Sequence, residues 1–281
     1  MAERLSDVVA KIQNVRQLGA VVTALRGIAA SRAQSGRSLL AGIESYAEVV
    51  SHAIGQALNL LPADDAAPLA PEDGRRGVIL FCAEQGFAGA FSERVFAAAG
   101  ADLKGATVLI VGTRGGAVAA ERGITPDWSA AMTTRIEAIP GFANALAEAL
   151  YHYVAQGRVA RADIFFSRSS SGDIRIDRHS LLPIDFGRFV RPPQQQAPLI
   201  ALSPQLLLER LAAEYVYAQL CQAAMHSFVA ENDARMIAMI RAKNNTETTL
   251  AGLVQRERQL RQEEVTTEIV ELAAGADALR A

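Results

Sequence analysis

The sequence predicts an α/β protein: a long antiparallel coiled coil of the N- and C-terminal helices plus a small three-layer, Rossmann-like α/β domain. Three observations predict it. All 10 prolines lie between Pro62 and Pro204, so both ends of the 281-residue chain lack the strongest helix breaker. Both proline-free arms carry apolar residues at steps of three and four. The middle alternates short, continuous apolar runs with amphipathic ones, as buried strands and their covering helices do. The arms are expected over residues 1–60 and 203–279, and the α/β domain over 77–190.

In the first arm Val8, Ile12, Val15, Leu18, Val22, Leu25 and Ala29 make one stripe. Past Gly36, a weak spot for a helix, it resumes through Leu39, Ile43, Tyr46, Val50, Ile54 and Leu58. At 1.5 Å per residue this helix would reach roughly 80 Å, and a rod that long cannot cover its stripe on a small globule. The second arm supplies a partner. Ser203 is placed to cap it and Pro204 to open its first turn. Its stripe runs Leu207, Leu211, Tyr215, Ala218, Met225, Val229, Met236, Ile240, Leu250, Val254, Val265, Ile269 and Leu272, over roughly 110 Å. Antiparallel pairing buries both stripes. The polar run AKNNTETT at 242–249 interrupts the second stripe and predicts a change of neighbours or a short kink.

Leu61 to Arg76 (LPADDAAPLAPEDGRR) reads as a linker. Strands are expected at Gly77–Ala83, Ala106–Gly112 and Ala162–Ser167, with an edge strand at Asp173–His179, where Ile174 and Ile176 alternate with charges. SSSG at 169–172 reads as the hairpin turn between the last two. Helices are expected over Phe91–Ala99, near Gly116–Arg122 and over Gly141–Gln156. A PPQQQAP run at 192–198 leads into the second arm.

Lys and Arg total 28 against 30 for Asp and Glu, a formal net charge of -2 that argues against a nucleic-acid binder and against an acidic disordered chain. No apolar run approaches the roughly 18 to 20 residues that a membrane span needs. The opening MAERLSDVVAKIQ resembles neither a secretory signal nor a transit peptide. Cys82 and Cys221 sit far apart in apolar surroundings and read as buried free thiols.

Two Gly-rich turns, GlnGlyPheAlaGlyAla at 85–90 and GlyThrArgGlyGly at 112–116, each follow a strand and precede a helix, where anions bind. Neither matches a phosphate-loop or dinucleotide fingerprint, so both read as tight turns that need glycine. His52, His152, His179 and His226 have no partners at ligand spacing and read as surface side chains, so no metal site is expected. Ser169, Ser170 and Ser171 lack a nucleophile-elbow context, and Trp128 alone is no stacking platform for bases. No catalytic residues and no cofactor site are expected.

Charge on the arms carries more information. Between Val8 and Ile43 there are Lys11, Arg16, Arg26, Arg32 and Arg37 and no acid, which points to an acidic partner surface. Near the other end Arg256, Arg258 and Arg261 give way to Glu263, Glu264, Glu268 and Glu271. Antiparallel arms would set Lys11–Arg26 beside Arg256–Glu271, so the basic band also has a complement in cis.

Four segments, in order, resemble one family. KIQNVRQLGAVVTALRGIAASR at 11–32 is similar to its N-terminal helix with an AAS-plus-base ending, and AEQGFAGAF at 83–91 to its S-D-R-G-L-C-G-x-F-N turn. ADIFFSRSSSGDIRIDRHSLLPID at 162–185 resembles its strand–hairpin leading to LLP. ENDARMIAMIRAKNNTETTL and LRQEEVTTEIVELAAGADAL resemble its ARM-x-AM-x-x-A-x-x-N and RQ-x-x-I-T-x-E-I segments. On these residues the chain resembles the γ subunits of F-type ATP synthases. Ala90 and Ser92 replace the family's second Gly and Asn, and Glu257 and Arg258 replace its Tyr-Asn, which marks a diverged bacterial branch.

The resemblance implies a non-catalytic rotor shaft that couples rotation of a membrane c ring to ATP synthesis or hydrolysis in an α/β catalytic ring. It implies Lys11, Arg16, Val22, Leu25, Arg26, Arg258, Arg261, Gln262, Thr266 and Glu268 facing that ring. It implies the ε subunit and the c ring as further partners, no cofactor, no nucleic acid, no direct membrane insertion, and a place at the cytoplasmic face of a bacterial membrane. A static coiled-coil adaptor, and a small-ligand-binding α/β protein with helical dimerisation arms, are the competing readings of the same residues.

Overall fold

The computed structural model describes residues 4–61, 75–170, 172–193 and 199–278. Residues 62–74 of the linker expected over 61–76, most of the PPQQQAP run and Ser171 lie outside these residues, and Arg76 already belongs to the first strand. The first arm is one helix, α1 (Leu5–Leu58). The last is another, α5 (Pro204–Ala278). Ser203 caps α5 as its position predicts: its Oγ accepts from the Leu206 N–H at 3.4 Å and its carbonyl from the Leu207 N–H at 2.9 Å. The polar run at 242–249 does not break α5. There Thr246 and Thr248 hydroxyls donate to the carbonyls of Lys243 and Asn244, so their polar groups are satisfied along the helix instead of competing with it.

The chain divides into two compact units, Met1–Ile28 with Met236–Ala281 and Ala29–Arg235. In the larger unit five strands form one sheet. They are β1 (Arg76–Phe81), β2 (Thr107–Val111), β3 (Trp128–Ala130), β4 (Arg161–Ser170) and β5 (Asp173–Leu182). Their order is β3-β2-β1-β4-β5, with only β5 antiparallel to its neighbour. The strand β3 is absent from the sequence reading because three half-covered edge residues give no period. The hairpin is longer than expected: Ser169 and Ser170 pair with Ile174 and Asp173 in the ladder and do not form the turn.

Helices cover both faces. On one, α2 (Phe91–Ala99) and α3 (Thr113–Glu121) pack Val95, Phe96 and Val118 on Val78, Leu80 and Ile110. On the other, α4 (Ile139–Ala155) and the stretch of α5 from Val216 to Phe228 pack on Ile79, Phe81, Leu109 and Ile164. A smaller cluster joins Val50, Ile54 and Leu58 of α1 to Phe186, Phe189, Leu208 and Tyr215. The helix α3 begins at Thr113, earlier than predicted, so both Gly115 and Gly116 are helical. Gly36 is no weak spot. It is buried, and a Cβ there would stand 2.5 Å from Val229 Cγ2, so glycine is what lets α1 and α5 approach.

In the smaller unit Val8 and Ile12 pack with Leu260, flanked by Leu5, Leu250, Leu253 and Val254. Gly19 lies opposite Thr246, whose Oγ1 is 3.9 Å from the position of a Cβ. The pairing is antiparallel as expected, but its register differs from the expected one. Ile12 still reaches Leu260, but Gly19 already lies opposite Thr246, N-terminal to Arg256, and the acidic turns from Glu263 onward lie near Arg4 and Leu5, as Glu263, Glu264 and Glu268 share a groove with these two. The predicted acidic complement to the basic band is therefore displaced. Leu18, Leu39, Ile240, Val265, Ile269 and Leu272 are exposed although the stripe assigned them to the seam. A period of three and four drifts around a straight helix over many turns, so distant members of one stripe cannot all face one partner.

Candidate functional site

In open α/β sheets ligands bind outside the carboxyl ends of the strands where strand order reverses. Here that point lies between β1 and β4, and side chains of the protein take the polar groups on either side of it. From the turn after β1, the Glu84 carboxylate accepts from the backbone N–H of Thr113 at 3.0 Å, the Thr113 hydroxyl at 2.8 Å and the Met132 N–H at 2.8 Å. Thr113 opens α3, so a fixed negative charge occupies the helix N-terminus that an anionic ligand would use. Gly112 makes the approach possible. It has φ 97°, and a Cβ there would meet the Cys82 carbonyl oxygen at 2.4 Å. Gly89 also has a positive φ, 62°, so each Gly-rich turn holds a position that needs glycine, as its sequence predicts.

The other half of the crevice is plugged by α5. Glu231 accepts from the N–H groups of Glu84 at 3.0 Å and Gln85 at 3.1 Å. Arg235 donates to the carbonyls of Gln85 at 3.1 Å and Gly86 at 3.0 Å, and to Glu231 at 2.5 Å. Asp233 accepts from a single Arg37 nitrogen, Nη2, on both of its oxygens, at 2.5 and 2.6 Å, and from the Ser169 hydroxyl at 2.5 Å. Asp233 keeps 2% of its side chain exposed, and Glu231 and Arg235 keep 7% each. Arg32 adds a bond to the Gln85 side chain at 3.3 Å. Charges buried this deeply persist only when paired and hydrogen-bonded, and each of these is. Arg32 and Arg37, two bases of the predicted acidic-partner band, thus bond within the chain although Arg37 keeps 45% of its side chain exposed. Sequence reasoning missed Glu84, Ser169, Glu231, Asp233 and Arg235. The available signal was ENDAR at 231–235, a charged cluster that ends a stretch with no Asp, Glu, Lys or Arg from Tyr215 to Ala230.

Of the residues predicted to face a partner ring, Lys11, Arg16, Arg258, Arg261, Gln262, Thr266 and Glu268 are exposed, and Leu25 and Arg26 are half-buried. Val22 is 6% exposed and offers no surface. Arg261 pairs with Glu257 at 3.0 Å, one turn back on α5. Between them the exposed Leu18, Val21 and Ile28, and the exposed Val265, Ile269, Val270 and Leu272, give the smaller unit an apolar surface with charges interspersed.

The histidines divide. His52 and His152 are on the surface as expected, and His179 is half-buried. His226 is a correction: it is buried, stacked on Phe166 with ring centroids 5.9 Å apart, and its Nε2 makes no hydrogen bond, the Glu44 carboxylate standing 3.5 Å away. Burial, with Arg168 nearby, pushes its pKa down to about 4. Both cysteines are free and buried, and burial pushes the Cys82 thiol up to about 12. Among the described residues no helix is long and apolar enough to cross a membrane.

A family model described as ATP synthase matches residues 4–279, both arms and everything between. Relatives over nearly full length are the ATP synthase gamma chains of Clavibacter michiganensis subsp. michiganensis, 26% identical, and of Parafrankia sp., 27% identical, each match covering 99% of both chains. The chain belongs to the ATP synthase γ-chain family. Solved structures agree in fold. A chain of the Euglena gracilis mitochondrial ATP synthase, in an assembly of OSCP, F1 and c-ring, superposes with a TM-score of 0.68 at 11% identity, over 98% of this chain and 94% of that one. One from the Tetrahymena thermophila central stalk and c-ring gives 0.54 at 13% identity, over 79% and 99%.

Proposed function

We propose that the chain is the central rotor shaft of an F-type ATP synthase, turning with a membrane c ring inside a catalytic ring of α and β subunits. The observation that carries this reading is the family match across both helical arms and the α/β unit together, which a separate coiled coil or a separate nucleotide-binding domain would not produce. The ends of the strands support it: Glu84 takes the N-terminus of α3, and Glu231 and Arg235 take the backbone groups of 84–86, where the small-ligand reading requires a ligand.

On this reading the chain performs no chemistry. Lys11, Arg16, Leu25, Arg26, Arg258, Arg261, Gln262, Thr266 and Glu268 contact the ring, with Val22 holding the coil together behind them. An asymmetric shaft presses each β subunit differently at each angle. Because its contacts differ among the β conformations, it shifts their nucleotide affinities in turn, and nucleotide exchange turns it in reverse. The α/β unit and the lower arms dock on the ε subunit and the c ring. The assembly lies at the cytoplasmic face of a bacterial membrane, held there by its partners. The test is copurification. A tagged chain expressed in its host is expected to bring down α and β subunits at stoichiometric yield, and recovery of neither defeats the reading.

A further inference from the structure

Burial alone does not key a helix in place. From Val216 to Ala230, α5 is buried largely by Ala, Val, Leu, Met and Phe, whose contacts are non-directional. One turn further, at the end of the larger unit, the contacts become directional. At about 100° per residue, Glu231 and Arg235 lie within about 40° of each other on the helix, and Asp233 about 160° away. The first pair grips the backbone of 84–86 after β1. Asp233 grips Ser169 of β4 and Arg37 of α1 from the opposite side. Bonds on opposite faces oppose rotation of the helix about its own axis in either sense, which bonds on one face would not.

We propose that Glu231, Asp233 and Arg235 form a torque lock: they key α5 to the sheet and to α1, so that twist applied to the α/β unit passes into α5 without slip. These are positioning residues, acting through the helix and not on nucleotide. The inference rests on the shaft reading. It predicts that the lock matters under load, because an unloaded shaft needs only its apolar packing to turn as one piece.

The test uses the whole complex, reconstituted in vesicles, and measures ions moved per ATP hydrolysed, first with no opposing gradient and then against a steep one. The unaltered chain is expected to hold one ratio under both conditions. Asp233→Asn and Arg235→Gln are expected to hold it without a gradient and to lose it about tenfold against one, since the first removes the ion pair to Arg37 and the second leaves the buried Glu231 without its partner. Exchanging the pair, Arg37→Asp with Asp233→Arg, is expected to restore the loaded ratio. A loaded ratio unchanged in both single variants overturns the lock. So does a ratio that falls equally with and without load, the mark of a merely structural role. Should Asp233→Asn fail to assemble, Ser169→Ala takes its place: it removes one bond and leaves the ion pair, and an unchanged loaded ratio there is equally fatal. If the unaltered chain does not join α and β subunits, the shaft reading fails first, and that is seen before any gradient is applied.

Discussion

A methyl group added at position 36 has no room. Val229, its nearest neighbour, is β-branched and buried, so it cannot swing aside as a longer chain end could. Gly36→Ala gains up to about 1 kcal/mol of helix propensity, but overpacking costs about 1–3 kcal/mol, so a lower urea midpoint is expected. Gly27, on the same helix, has nothing within 4 Å of a Cβ, so Gly27→Ala is expected to raise the midpoint. The same denaturation, repeated across pH, tests His226. Its pKa is about 4 in the fold against an ordinary 6.5, so between those values the unfolded chain holds a proton that the folded one does not. The stability from keeping it neutral is complete above pH 6.5 and is lost as pH falls toward 4, with a slope of at most about 1.4 kcal/mol per pH unit. Arg168, Asp177, His179 and Glu44 surround it, and His179 is itself lowered by burial and adds a slope of the same sign. His226→Gln is expected to flatten the curve between pH 6.5 and 5, and equal slopes in both proteins contradict the assignment. Neither residue's environment was legible locally: a glycine in a helix reads as a defect and a histidine as surface until the facing helix is known.

Pairing of the two arms is settled by a few contacts near their ends. Val8 and Ile12 meet Leu260, and Gly19 faces Thr246. A disulfide needs Cβ atoms about 3.5–4.5 Å apart. Thr246 Oγ1 stands 3.9 Å from the position of a Gly19 Cβ, so a sulfur at 246 comes near one at 19, and Gly19→Cys with Thr246→Cys is expected to crosslink on mild oxidation, seen as a mobility shift in a denaturing gel. Gly19→Cys with Glu264→Cys, close to the register that charge matching favours, is expected to stay reduced. The opposite result would restore that register. Helix existence, direction and the Ser203 cap were all legible, since each depends on residues within a turn or two of one another. Register was not, because it depends on which turn of one stripe meets which turn of the other. Exposed charge pairs, worth about 0.2–1 kcal/mol each, are too weak to choose against apolar packing.

At the scale of the whole molecule, the smaller unit shows surface that its own chain does not cover. Residues 261–273 of α5 are exposed without exception, among them Val265, Ile269, Val270 and Leu272. Deleting residues 262–281 is expected to change the stability of the free chain by no more than about 0.5 kcal/mol, the usual range for surface changes. The same deletion is expected to weaken capture of α and β subunits severely. Calorimetry and copurification on one preparation check both halves, and a large loss of stability with capture intact would assign this segment to the fold instead. Proline placement, helical periodicity and the order of four motifs were enough to determine the class of this protein, because they are written along the chain and need no knowledge of what touches what. Tertiary structure alone decided that Glu84 fills an anion seat, that ENDAR is a buried joint and that two of the five bases in the basic band, Arg32 and Arg37, bond within the chain. Those outcomes join residues as far as 196 positions apart, and a charge in a sequence looks the same whether it meets water or a buried partner.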